Sequence, residues 1–136
     1  MKNAQAFVRA AEHLVGTTFR LYGRDPQTGL DCVGLVITAL TATGRRLADP
    51  AGYQLRNSSI DRWLGLMGEA GFAPAHASLE PGDVVIVVAG PAQHHLLIAS
   101  QTNAFVHAHA GLRRVVCQPG PLPWPVHSRW RLIEQD

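Results

Sequence analysis

Hydrophobic positions along this chain change their period once, near the middle. In the first half the spacing is helical. Phe7, Ala10, Ala11 and Leu14 recur on one stripe, Arg9, Glu12 and His13 fall off it, and Gly16 stands as a stop, so residues 4–15 are predicted as an amphipathic helix. Residues 16–30, GTTFRLYGRDPQTGL, contain three glycines and a proline and read as a loop that delivers the chain to Asp31. From Cys32 to about residue 42, Val33, Leu35, Val36, Ile37, Ala39 and Leu40 leave almost no polar face, as expected of a buried central helix closed by Gly44. A third helix, about 60–70, starts after Ser58 or Ser59, presents Trp63, Leu64 and Met67, and ends at Gly71.

Past the turn EPGD the helical period disappears. VVIVV, residues 84–88, is β-branched throughout and apolar at both parities, the pattern of a strand buried on both faces. Shorter runs at about 95–100, 105–109 and 113–117, separated by QTN and by Ala110-Gly111, complete an antiparallel meander. PGPLPWP reads as a rigid extended connection to a last strand, SRWRLI. Helices first and strands afterwards indicate an α+β fold, a helical layer packed on one antiparallel sheet.

A chain of 136 residues, 46% of them hydrophobic, suits a single domain over 1–136 with its own core. The formal charge of +2 is scattered, with Arg45-Arg46 and Arg113-Arg114 the longest basic runs, so no nucleic-acid partner is expected. No apolar run reaches the ~18 residues of a membrane span. Arg9, Glu12 and His13 also interrupt any signal-peptide core, giving the expectation of a chain cytoplasmic as synthesised that reaches a virion or the cell exterior only by another route. Cys32 and Cys117 fit no zinc-ribbon or redox spacing and are expected as free thiols.

Asp31 stands where a side chain caps the first free N–H groups of the buried helix, and Cys32 follows in its first turn. The helix start favours negative charge, so a lowered Cys32 pKa is expected there, with Cys117 inert inside its strand. A nucleophilic thiol needs a base. Of seven histidines, His13, His76 and His127 read as solvated, whereas His94, His95, His107 and His109 fall on two successive strands. In a hairpin turning near 100–103, residue 95 lies opposite 107 if the turn is centred near 101, or opposite 109 if it is centred one residue later. Either way two imidazoles lie side by side, as a Cys/His/third-residue arrangement requires. His107 and His109 share a face, and only one of His94 and His95 joins them. A zinc site built from these histidines with Cys32 and Cys117 is the competing chemistry, but no carboxylate or cysteine sits at ligand spacing on the hairpin. No metal or other cofactor is expected.

GTTFRLYGRDPQTGLDCVGLV resembles the N-terminal signature of the NlpC-type cysteine peptidases, in which a Gly-Thr-Pro-Tyr-like loop leads to Asp-Cys-Ser-Gly-Leu-Val. LEPGDVVIV is similar to their Leu-x-Pro-Gly-Asp-Leu block, HLLI from His95 to their His-Val-Gly-Ile, and FVHA to their Ile-His-Ala segment. The four blocks occur in order over roughly residues 14–110. The resemblance implies a papain-like fold and hydrolysis of amide bonds in peptidoglycan stem peptides beside γ-D-glutamate and diaminopimelate. It also implies Cys32 as nucleophile, His95 rather than His94 as base, and His107 as the residue orienting it, with His95 facing His107 across the hairpin. Asp31 would cap the helix and help hold a substrate amine, and the Cys32 N–H would form part of the oxyanion hole. Three positions depart from the pattern. Phe19 replaces a tyrosine credited to the oxyanion site, with Tyr22 the candidate substitute; Val33 and Leu97 replace a serine and a glycine, changes expected to make the cleft more apolar. The context left open by these residues is a phage-tail component, a secreted antibacterial effector or a recycling enzyme. A non-catalytic assembly or binding module on the same fold is the alternative. Oligomeric state is not legible.

Overall fold

The computed structural model describes residues 2–48, 60–91 and 93–134. The first helix, α1 (Lys2–His13), precedes a loop carrying a small hairpin, β1 (Arg24–Asp25) and β2 (Gly29–Leu30), which leads into α2 (Cys32–Thr41). Next come α3 (Asp61–Glu69) and β3 (Phe72–Pro74), then β4 (Val84–Gly90), β5 (Gln93–Ala99), β6 (Ala104–His109), β7 (Arg114–Pro119) and β8 (Val126–Leu132). The three helices and the meander stand where the periodicity puts them. Ser58 and Ser59, the expected caps of α3, lie outside the described residues. Both short hairpin strands and β3 were not foreseen, since two or three residues carry no readable alternation.

β4 to β7 form the meander, and β8 returns to pair with β4 on its other side, giving the six-stranded antiparallel order β3-β8-β4-β5-β6-β7. Burial on both faces of β4 is as its sequence suggests. Val84 and Ile86 join the main core beneath the helices with Phe7, Leu35, Val36 and Trp63. Val85 and Val87 face the other way, against Leu97, Ala99 and Phe105, with Leu122 and Trp124 folded over them. The proline-rich connection is therefore a lid on the second face, which its extended look did not reveal. Leu97 is fully buried in that second cluster and does not reach the cleft, so the expected apolar change there falls on Val33 alone.

Two devices hold the site-bearing parts in register. Asp83 of the PGD turn is completely buried and accepts hydrogen bonds from Arg129 Nη1 (3.1 Å), Arg131 Nε (2.8 Å) and Nη2 (2.9 Å) and the Glu80 N–H (3.0 Å), fastening the start of β4 to β8. Burying a carboxylate is costly unless it is paired and hydrogen-bonded in this way. The second device is the loop ahead of α2. Its N–H and C=O groups pair with β7 and the preceding turn, Gly16 N–H to Val115 O at 2.8 Å, Val115 N–H to Thr17 O at 2.8 Å and Phe19 N–H to Arg113 O at 2.9 Å. Its far side packs directly on the helix: a Cβ on Gly34 would come within 2.0 Å of the Gly23 carbonyl oxygen, so only glycine fits there.

Candidate active site

At the start of α2 the Asp31 side chain caps the helix, Oδ1 accepting the Gly34 N–H at 2.8 Å. The same oxygen takes Arg24 Nη1 at 2.8 Å, and Oδ2 takes the Tyr22 N–H at 2.9 Å. Both carboxylate oxygens are thus engaged and Arg24 stands against the charge, so Asp31 fastens the loop to the helix start.

The base strand approaches from the sheet. Between β5 and β6 the paired residues are Ile98 with Val106 and Ala99 with Phe105, two residues further along β6 than a direct His95–His107 pairing requires. His95 therefore meets His107 on the diagonal, a reach that long side chains manage. The contact is nonetheless made, with His95 Nε2 and His107 Nδ1 3.0 Å apart and the rings edge-to-face at 5.1 Å. Because the ladder is confined to that end, the first half of β5 is paired with β4 alone. Cys32 comes up to this stretch, where the Leu96 N–H is directed at its thiol. Cys32, His95, His107, Phe19, Tyr22 and Asp31 all line one pocket of about 400 Å³, the size of a small-molecule or peptide site. His94 lines it as well, contrary to the alternation expected, with its ring edge-on to His127 at 5.3 Å rather than to His107.

Sequence reasoning missed two neighbours. Gln118 on β7 places Oε1 2.9 Å from His107 Nε2. Trp124 lies edge-to-face on His95 and His107, 5.8 and 6.1 Å between ring centroids, and covers their shared hydrogen bond. Neither has a local signature: the first depends on the β6–β7 register and the second on how the proline-rich connection folds back.

Burial sets the protonation of the groups that line the pocket. Cys32 is half-buried at the pocket wall; burial of its thiol, reinforced by the Asp31 carboxylate, pushes it up to about 12 from 9.0, against smaller opposing effects of the Leu96 and Val33 N–H groups and Arg24. Burial, then His107 and His109, pushes His95 down to about 3. His107 is lowered by burial, while its hydrogen bond to Gln118 acts in the opposite direction. The expectation of a thiolate at the helix start is not met: dehydration outweighs the helix-end effect, and the pocket is lined at rest by a neutral thiol and a neutral imidazole. Cys117 also differs from expectation, being exposed on the edge strand β7 and open to reagents. Both thiols are free. Among the described residues no group of three or more His, Cys, Asp and Glu side chains is disposed to hold a metal ion. No helix among them is long and apolar enough to cross a membrane.

The oxyanion candidates divide. Phe19 is half-buried, packed against the main core, and has no hydroxyl to give. Tyr22 stands 56% exposed at the rim, its backbone at φ 62.

No curated protein sequence matches the chain. Among solved structures it superposes on NlpC1 from Trichomonas vaginalis with a TM-score of 0.73 and 18% identity, over 95% of this chain and 44% of that one. It superposes on RipB, a peptidoglycan hydrolase from Mycobacterium tuberculosis, with a TM-score of 0.65 and 21% identity over 98% and 66% of the two chains. For the NlpC/p60 domain of the peptidoglycan hydrolase SagA the values are 0.59 and 24% over 86% and 89%. At such identities the likeness is one of fold, and the chain spans less than half the length of the two Trichomonas vaginalis proteins, NlpC1 and NlpC2. The sequence match carries more: it covers residues 16–120, from the loop ahead of Cys32 to just past β7, and with it this chain belongs to the NlpC/P60 family.

Proposed function

We propose that this chain is a cysteine peptidase or amidase that hydrolyses amide bonds of peptidoglycan stem peptides, at linkages of the γ-D-glutamyl-diaminopimelate type. The observation that carries the proposal is the 3.0 Å His95–His107 hydrogen bond inside the pocket that also holds the helix-start thiol of Cys32. Since Nε2 of His95 is taken by His107, Nδ1 is the nitrogen left to serve as base. The thiol gives its proton to Nδ1 as sulfur attacks the scissile carbonyl, and the developing oxyanion is met by the Cys32 N–H, which has no carbonyl partner within its own helix. His95 returns the proton to the departing amine, leaving a thioester on Cys32. Water, deprotonated by the same nitrogen, then releases the acid and restores the thiol.

The test is incubation with a synthetic L-Ala-γ-D-Glu-diaminopimelate peptide, products being read by mass spectrometry. Two fragments from the native chain and none from Cys32→Ala are expected, and equal cleavage by both would refute the assignment. A second reading, a binding or assembly module of low turnover, is favoured by the missing hydroxyl at Phe19 and by a thiol at about 12 beside an imidazole at about 3. Peptide binding by calorimetry with no cleavage over days would select it.

A further inference from the structure

His107 sits between two hydrogen-bonding partners, one of which lies outside the Cys/His/His set. His107 is almost fully buried, 1% exposed, and its two ring nitrogens have one partner each: Nδ1 meets His95 Nε2 at 3.0 Å and Nε2 meets Gln118 Oε1 at 2.9 Å. A neutral imidazole has one donor nitrogen and one acceptor nitrogen, so a choice at either end propagates to the other. If Gln118 accepts, His107 carries its proton on Nε2 and accepts at Nδ1; His95 then carries its proton on Nε2 and keeps a bare lone pair on Nδ1. If Gln118 instead turned its NH₂ inward, every proton would shift by one place. His107 would donate from Nδ1, His95 would accept at Nε2, and His95 Nδ1 would bear hydrogen, leaving no base for the thiol.

We propose that Gln118 is a positioning residue that holds the His95–His107 pair in the base-competent tautomer, its Oε1 accepting from His107 and so leaving His95 Nδ1 free for the thiol proton. This rests on the reading of the chain as a cysteine peptidase and adds a fourth member acting through two others. The fold supports the placement. On β6 and β7, Phe105 is paired with Gln118 and His107 with Val116, so Gln118 lies on the diagonal of His107 and on its face of the sheet. Its side chain is only partly exposed, and Trp124 covers the adjoining His95–His107 bond, so water is a poor substitute acceptor. The requirement is specifically for an acceptor. Glutamate at position 118 retains one, lysine presents donors only, and leucine presents neither.

The experiment uses the full chain with ¹⁵N-labelled histidine. Long-range ¹H–¹⁵N spectra above about pH 7 read each tautomer without reference to turnover, and kcat and KM are measured on the stem peptide in parallel. In the native chain both His95 and His107 are expected with hydrogen on Nε2 and a bare Nδ1. Gln118→Leu should lower kcat about 10- to 100-fold with KM within about twofold, the range for groups that orient a catalytic histidine. Gln118→Lys should fall at least as far. Gln118→Glu should keep the tautomers and most of kcat, with the acid limb of its pH profile moved upward because a carboxylate there favours imidazolium. A merely structural role would penalise glutamate and lysine alike. Hydrogen on Nδ1 of His107 in the native chain overturns the proposal, as does a folded Gln118→Lys with unchanged kcat. Should the native chain show the expected tautomers but cleave no peptide, the peptidase reading fails while the tautomer assignment stands.

Discussion

Alkylation of the two cysteines as a function of pH tests the dehydrated resting state directly. The perturbation is iodoacetamide under pseudo-first-order conditions, with each modified thiol located by mass mapping. A thiol at about 12 instead of 9.0 has a thiolate fraction near neutrality about a thousandfold lower than an ordinary cysteine. A more basic thiolate is intrinsically more nucleophilic, and a Brønsted slope of roughly 0.45 over three pKa units returns a factor of about 20. The net expectation is that Cys32 reacts about 50-fold more slowly than an ordinary free thiol near pH 7, before access is counted. Its rate should then climb about tenfold per pH unit through the alkaline range with no plateau. Cys117, exposed on β7, should be modified first. A Cys32 rate that is flat below about pH 7 and faster than that of Cys117 would refute the argument: it would mean that the attraction between thiolate and imidazolium overcomes their combined dehydration, and that the pair is ionised before substrate arrives.

The same shifts bound stability. His95 lies well below its ordinary 6.5, so the stability drawn from burying it neutral is complete above 6.5 and is lost as the pH falls from there toward 3; Cys32 contributes fully below 9.0 and loses its contribution as the pH rises toward 12. The melting temperature should therefore be flat between those two limits and fall on either side, and a maximum near pH 5 in a calorimetric series would contradict this. Turnover on generic stem peptides should be slow, and Phe19→Tyr should raise kcat up to about 100-fold with little change in KM, as befits an added donor to the oxyanion. If Tyr22 already supplies that donor, Tyr22→Phe lowers kcat and Phe19→Tyr is silent; no effect of either in an active preparation removes both phenols from the oxyanion site. Trp124→Ala should admit water to the His95–His107 pair and raise both histidine pKa values, shifting the acid limb of the pH–rate profile upward, and an unmoved limb would show that Trp124 does not dehydrate the pair.

Much of this arrangement is local in origin and therefore readable. The cap and the apolar run after it mark α2 and the position of Cys32, and the doubled parity of VVIVV marks the one strand with a core on each side. The His95–His107 contact was also legible, but for a register that is two residues off: both alignments bring imidazoles together, and the hydrogen bond forms on the diagonal instead of straight across. Illegible features arise from packing between distant segments. Gln118 acquires its partner only once β6 and β7 are aligned, and Trp124 only once the proline-rich segment lies over the second face of the sheet. The ionisation of Cys32 failed for a related reason. A helix start is visible in sequence, whereas the protein density around it is a sum over β5, the loop and the wall of the pocket.

The pairing of residues 16–19 with β7 and its preceding turn has a consequence for solubility. β7 is an outer strand of the sheet, and an open outer strand is a template on which another chain can add itself. Here the loop ahead of Cys32 occupies the beginning of that edge, while Pro119 at its end has no N–H to donate. The segment that shapes the nucleophile's side of the pocket is thus also the guard of the sheet's border. Substitutions at Thr17 or Phe19 that loosen it should both depress turnover and increase light scattering on storage, so that colloidal stability becomes a readout of how well the pocket is closed.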